Sequence, residues 1–491
     1  MPRLSPLRPH ALLFALYPVL FLYSRNMAEL APSVLVVPLL VALAATIVAS
    51  LALTKLFGNE IKGGVMVSWL LLLFFSYGHV FNRVGGGVWL HHRQLMPVWV
   101  LLGAAGIFGI LRARRPPARL DRTLTVVAAV AMLAVVASIA LELARSREAG
   151  PIPELDAAQT VPDSTRARPD IYYIVLDGYA NDANLRELYG FDNHGFVEGL
   201  QRRGFFVAHH SRSNYSTTLN STAATLNMDY LDRLTSLIGT TSDRYEVFYS
   251  LILHDRVLRL LEARGYTCVK INTPPEFFYH DFSFMLLGTT FAAYWVTNEH
   301  YRSTTLSVFR RLDDFVPSGG PTFLYTHIVC PHPPYVFGPS GGPVSLQEKS
   351  RFMDRSALKH AYLDQMEYVN SRVLSLVDSI RTRSRRPPII ILQGDHGPAN
   401  LGRMDRPDAI LLKERMGILN AYLLPDAGGA GLYDSISPVN TFRLIFRNYF
   451  GLRFEPLADR SYFNLPGRPF QFITVSDSSA ARGAVAGRRA L

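Results

Sequence analysis

The chain has 491 residues, a net charge of +11, and is 49% hydrophobic with 18% charged residues. Its length accommodates two or three domains. Of the eleven excess positive charges, nine fall in residues 1–150, where 14 Lys and Arg stand against 5 Asp and Glu in the most apolar part of the sequence. Basic residues flanking apolar runs are membrane-topology signals, so the expected partner is a membrane and not nucleic acid. Two cysteines, Cys268 and Cys330, are too few for a disulfide framework and lack metal-ligand spacing. They are read as two buried thiols, with one bridge as the alternative.

Five uncharged runs fill the first third, between Arg8 and Arg25, Glu29 and Lys55, Lys62 and Arg83, Arg93 and Arg112, and Arg122 and Glu142. A helix needs roughly 20 residues to cross the hydrocarbon core. The first run is the shortest and contains Pro18. Because four more follow it, an anchor is expected in place of a cleaved leader. The densest positive loop, residues 112–122, is placed in the cytoplasm, together with Lys55, Lys62 and the N-terminus. Five spans then carry everything after about residue 145 across the membrane, to the extracytoplasmic side. The loop from Gly85 to Arg93 faces outward, and its His91-His92 pair reads as interfacial.

The expected organisation is a five-helix membrane domain over residues 1–147, a linker over 148–168, an α/β domain over 169–475 and a disordered tail over 476–491. In the α/β domain, Asp170-Ile-Tyr-Tyr-Ile-Val-Leu-Asp177 reads as a buried parallel strand ending in a carboxylate. A helix over 192–204, a strand over 204–208 and a cluster of hydroxyls follow. Ser216, Thr217 and Thr218 precede a small-residue run that can be helical. Further strands are expected over 266–271, 321–330 and from 388. Helices are expected over 257–264, 355–382 and 439–447. This alternation predicts a mostly parallel sheet with ligands beyond the C-terminal ends of its strands.

Three of those strand ends carry chemistry: Asp177, His332, and the pair Asp395-His396. Each alone is also what a turn or a cap provides. Together with an alcohol at a helix N-terminus, which gathers anions, they suit a divalent cation such as Zn²⁺ or Mn²⁺. A cation touching the alcohol lowers its pKa and screens an incoming phosphoryl or sulfuryl group. Any of the three hydroxyls could be that alcohol on this reading.

The segment from about 168 to 475 resembles the alkaline phosphatase superfamily, in its sulfatase-like branch. The resemblance rests on Asp170–Asp177, Phe196–Val207, the Pro331-His332-Pro-Pro-Tyr335 loop and Gln393-Gly-Asp395-His396-Gly397. With the helical anchor, the plan is similar to lipoteichoic acid synthases and lipid A phosphoethanolamine transferases. Ser221 and Ala223-Ala224 stand where that branch places them relative to its nucleophile, which selects Thr218. The formylglycine motif of true sulfatases is absent, and Thr222 stands where its Arg would be. Gly178 replaces a second Asp, and no His follows His396 to hold a second metal.

The resemblance therefore implies one divalent ion held by Asp177, Thr218, Asp395 and His396, with His332 touching the transferred group or protonating the leaving alkoxide. The implied activity moves a phosphoryl-alcohol group from a phospholipid donor to a glycan or lipid acceptor through a phospho-threonine. Hydrolysis of a phosphodiester or sulfate ester is the enzymatic alternative. A non-catalytic envelope binding module is the alternative of another class.

Overall fold

The computed structural model describes residues 7–27, 30, 32–84, 92–148, 168–271, 286, 290, 293–317, 319–344 and 355–476. Most of the expected linker, of the tail expected to be disordered and of the Gly85–Arg93 loop lies outside the described residues. The chain divides into two compact units: Met1–Pro151 with Tyr279–His300, and Ile152–Phe278 with Tyr301–Leu491.

The first unit contains α1 (Pro9–Arg25), α2 (Val36–Phe57), α3 (Glu60–Val84), α4 (His92–Arg112) and α5 (Ala118–Glu148). Five helices form where five runs were read, but four, not five, are long and apolar enough to cross a membrane. At 17 residues with Pro18 inside, α1 rises only about 26 Å at 1.5 Å per residue, short of the roughly 30 Å hydrocarbon core. The others reach mean hydropathies of 1.5 to 2.7 over their windows. They turn apolar side chains outward, among them Leu40 and Val48 on α2, Leu101 on α4 and Leu133 on α5.

Polar groups instead gather at one end of this unit. The Arg8 guanidinium is paired through two nitrogens with the Asp121 carboxylate, and Glu60 lies 3.8 Å away. His10 reaches Asp121 at 3.0 Å and Ser68 Oγ at 2.6 Å. Arg8 precedes α1, Glu60 opens α3 and Asp121 lies in the first turn of α5, so these three helices start at the same end and run the same way.

The second unit is built on a six-stranded sheet of order β2-β6-β5-β1-β4-β3. The strands are β1 (Ile171–Leu176), β2 (Phe206–Val207), β3 (Thr267–Lys270), β4 (Thr322–Ile328), β5 (Ile389–Gln393) and β6 (Asn420–Leu423). Central β1 pairs in parallel with both β4 and β5, aligning Val175 with His327 and with Gln393. β3 extends the parallel set, while β6 and β2 close the other edge antiparallel. β1, β4 and β5 are buried throughout, as expected of parallel strands covered on both faces.

The helices that bear on the site are α6 (His194–Arg202), α7 (Thr218–Asn227), α8 (Glu246–Leu253), α9 (Arg256–Glu262), α10 (Arg355–Arg383), α11 (Ala409–Met416) and α12 (Thr441–Phe450). Ile171, Tyr173 and Val175 pack with Ala223 and Ala224 of α7, Phe248 of α8 and Phe442 of α12. Tyr172, Ile174 and Leu176 pack on the other face with Leu200 of α6 and with Tyr362, Met366 and Val369 of α10. The two helical layers leave the C-terminal edge of β1, β4 and β5 as the place where polar groups collect.

Candidate metal and nucleophile site

Asp177 follows β1 directly and is fully buried. Gly178 then turns the chain with φ +76° and passes so close to His332 that a Cβ would sit 3.4 Å from its Cα. This turn aims the Gly178 N–H at Asp395 Oδ1, 3.1 Å away. The residue that departs from the family pattern thus ties the first strand's end to the fifth's. Asp395 Oδ1 also accepts from the His396 N–H at 2.9 Å. Its Oδ2 accepts no hydrogen bond among the described residues and faces His396 Nε2 at 3.2 Å.

His396 is held in one tautomer. Its Nδ1 lies 3.0 Å from the Gly397 carbonyl, which can only accept, so Nδ1 carries the proton and Nε2 presents a lone pair. That lone pair lies 3.0 Å from Thr218 Oγ1 and 3.7 Å from Asp177 Oδ1. Burial, with Arg415 next in effect, pushes the proton affinity of His396 well below the usual imidazole range.

The structure separates the three hydroxyls. Ser216 Oγ accepts from the Asn464 N–H at 2.8 Å, and Thr217 Oγ1 donates to Asn220 Oδ1 at 2.5 Å. Thr218 alone of the three points its hydroxyl at His396. It is the first residue of α7, with Thr217 as N-cap in an extended conformation, so the free amides of the first turn surround it.

The three protein oxygens and one imidazole fit a cation. A tetrahedral Zn²⁺ with bonds of about 2.0–2.1 Å needs ligand atoms about 3.3 Å apart, and the separations from Nε2 are 3.0, 3.2 and 3.7 Å. A bare imidazole lone pair aimed at two carboxylates is repulsive unless a cation or proton lies between them. The two carboxyls respond accordingly. Burial and the Asp177 charge push Asp395 up to about 7. Asp177 is also raised by burial, but His332, His396 and His327 outweigh this and hold it below the usual carboxylate range.

His332 stands on the loop after β4, partly buried, with ring centroid 6.1 Å from that of His396. Its Nδ1 donates to Pro333 O at 2.6 Å, so that Nε2 is the acceptor nitrogen of the neutral ring. Burial lowers its proton affinity. The loop is gripped from α10: Gln365 Nε2 donates to His332 O at 3.1 Å, and its Oε1 accepts from Val336 N–H at 2.8 Å. One turn earlier, Tyr362 donates to Gly178 O at 3.0 Å and accepts from Ala180 N–H at 3.2 Å.

Sequence reasoning missed His327. It lies inside β4 with Nε2 3.3 Å from Asp177 Oδ2, and Asp177, His327 and Asp395 form a buried group with metal-ligand spacing. The signal was present, since an imidazole in a strand otherwise reading Thr-Phe-Leu-Tyr-Thr needs a polar partner. Asn214, Tyr179 and Arg403, polar residues close in sequence to these motifs, have partners of their own. Asn214 is buried and bonded to Tyr230, Ser437 and Val439. Tyr179 bonds Asn370 at 2.5 Å, and Arg403 pairs with its neighbour Asp405 at the surface. The two cysteines are unbridged.

No protein-family model matches the chain, and no curated protein does. Among solved structures, it is similar to the C-terminal periplasmic domain of EcEptC from Escherichia coli at 13% identity, covering 66% of this chain and 97% of that one, TM-score 0.43. It is similar to the integral membrane lipooligosaccharide phosphoethanolamine transferase A of Neisseria meningitidis at 14% identity, with 90% and 95% covered and a TM-score of 0.41. It is similar to the phosphonate monoester hydrolase of Agrobacterium radiobacter at 13% identity, with 60% and 80% covered and a TM-score of 0.39.

Proposed function

We propose that the chain is a membrane-anchored, metal-dependent phosphoryl-group transferase with Thr218 as nucleophile. The observation that carries this is the convergence of Thr218 Oγ1, His396 Nε2 and two buried carboxylates at the N-terminus of α7. One divalent ion, Zn²⁺ or Mn²⁺, would be held by Asp177, Thr218, Asp395 and His396, and would lower the pKa of the alcohol and screen the incoming anion. The Thr218 hydroxyl first loses its proton to solvent. Its Oγ then bonds to phosphorus as the phosphorus–oxygen bond to the lipid alkoxide breaks, and His332 Nε2, protonated once the anionic donor lies beside it, gives that proton to the leaving oxygen. The acceptor's hydroxyl then attacks the same phosphorus, its proton passing to the now neutral His332 Nε2, while the phosphorus–Oγ bond breaks and releases Thr218. The amides of the first turn of α7 favour negative charge on the group in transit.

A phospholipid such as one carrying phosphoethanolamine or phosphoglycerol is the proposed donor, and an envelope glycan or lipid the acceptor. The outward apolar faces of α2, α4 and α5 support a bilayer around the helical unit. The polar cluster supports the topology. Because α1, α3 and α5 run the same way, a chain whose N-terminus and basic 112–122 loop are cytoplasmic leaves α5 on the far side. The α/β unit is therefore proposed to be extracytoplasmic.

Thr218→Ala should lower turnover by about 10³-fold or more and leave a cooperative melt. A mass spectrum of the wild-type protein after exposure to envelope lipids should show an adduct on Thr218. Full turnover in the variant would sink the nucleophile assignment. A head-group-labelled phospholipid separates transfer from hydrolysis, according to whether the label reaches an acceptor or only water. A folded protein that binds no divalent ion and forms no adduct would instead be a binding module.

A further inference from the structure

Arg415, near the end of α11, is only 8% exposed and has no role in the chemistry above. Its Nε donates to Ser216 O at 2.7 Å, and its Nη1 donates to Gly397 O at 2.7 Å. Ser216 lies two residues before Thr218, and Gly397 directly follows His396. The Gly397 carbonyl is the same one that takes the His396 Nδ1–H, and the Gly397 N–H donates back to Arg415 O at 2.7 Å.

These contacts close a ring. It runs from Thr218 Oγ1 to His396 Nε2, through the imidazole to Gly397 O, across the guanidinium to Ser216 O, and along the backbone to Thr218. The loops it joins come from different parts of the chain, and upstream they are also tied by Ser213 Oγ, which donates to Asp395 O at 2.5 Å. We propose that Arg415 is a positioning residue: by clamping the carbonyls of Ser216 and Gly397 it sets the Thr218–His396 distance and the His396 tautomer. This role rests on Thr218 and His396 being the nucleophile and ligand proposed above. Only a planar fork satisfies both carbonyls at once. A lysine ammonium offers a point charge without the fixed divergence of Nε–H and Nη1–H.

The test uses the full-length protein with Arg415→Lys, Arg415→Ala and, in parallel, Thr218→Ala. Zinc affinity is read by competition with a chromophoric chelator, and turnover on a labelled phospholipid. Arg415→Lys should melt cooperatively, lose about 100-fold in kcat with KM little changed, and bind zinc about tenfold more weakly. Added guanidinium chloride should restore part of the kcat of Arg415→Ala, whereas equal sodium chloride should not. Wild-type kcat and zinc affinity in Arg415→Lys would overturn the proposal. So would Arg415→Ala that guanidinium leaves unchanged. Failure of both variants to fold would overturn it too, since Arg415 would then stabilise the unit and not position the site. Full turnover in Thr218→Ala would count against the nucleophile instead, and the zinc measurement would still decide the role of Arg415.

Discussion

Asp177 and Asp395 meet at one point from adjacent strands and are driven in opposite directions there. Asp177 is held low by the surrounding imidazoles, and Asp395 is pushed up to about 7 by burial and by Asp177 itself. To ligate a cation, Asp395 must lose its proton. Metal affinity should therefore fall by about tenfold for each pH unit below 7 and level off above it. Competition with a chelator between pH 5.5 and 8.5 checks this. In metal-free protein the sign reverses. The native state binds a proton at Asp395 that the unfolded chain has already lost, so the stability this gives is present at pH 4 and disappears as pH rises through 7. Asp177 shifts the other way, and its contribution is constant over the same range. His396 and His332, whose proton affinities are lowered, act the opposite way as pH falls, so the Asp395 contribution is isolated by substitution. Asp395→Asn should raise the melt of chelated protein more at pH 8 than at pH 5.5, and saturating zinc should raise the wild-type melt most at pH 8.

His327 should matter to the metal without touching the transferred group. Its Nε2 holds Asp177 Oδ2, which leaves Oδ1 turned towards His396. His327→Ala is expected to weaken zinc binding about 10- to 100-fold, as loss of an outer partner does. Equilibrium dialysis of the folded variant is the check, and undiminished affinity would remove His327 from the site.

Asp255 offers a prediction distant from catalysis. It caps α9 through the Leu258 N–H at 2.7 Å and is 1% exposed. Burial pushes its carboxyl up to about 7. The native protein thus keeps a proton there that the unfolded chain loses near pH 4, and the resulting stability is lost as pH rises from 4 to 7. Asparagine keeps the capping oxygen and has no charge to bury. Asp255→Asn should stabilise the protein by about 1–3 kcal/mol at pH 8 and not at pH 4.5, as read from melts at the two pH values.

In the helical unit, Asp121→Ala removes the partner of both Arg8 and His10. Breaking a buried pair costs about 3–5 kcal/mol. The variant should lose its folded state in detergent at a markedly lower temperature. Asp121→Ala with Arg8→Met should recover much of the loss.

The strand ends were readable because parallel strands bury continuous apolar runs, so the polar residue that stops each run marks the sheet edge. Asp177, His332 and Asp395-His396 are such stops. His327 was not readable this way, because β4 is buried on both faces and no alternation sets one position apart. Arg415 and its neighbour Glu414 sit in Lys-Glu-Arg-Met, which reads as a solvated helix end. In the fold, Glu414 is fully buried, accepting from the Asn400 and Leu401 N–H groups. The four residues of β6 and the helix of eight before it are too short for a period to show. In α1, the charges at Arg8 and Arg25 bounded an apolar run, but the total rise of its 17 residues, about 26 Å, falls short of a bilayer core.

Helix α10 holds the Asp177 and His332 loops through Tyr362 and Gln365, while Thr218 rides on α7 across the sheet. The proposed nucleophile and the proposed proton donor thus hang from opposite layers of a three-layer sandwich, with the sheet as the ruler between them. Core substitutions on the α10 side, at Met366 or Val369, would therefore shift His332 relative to Thr218 while leaving the ring through Arg415 intact. On the proposed mechanism, leaving-group protonation and nucleophilic attack would in this way be detuned separately, from positions that never meet a substrate.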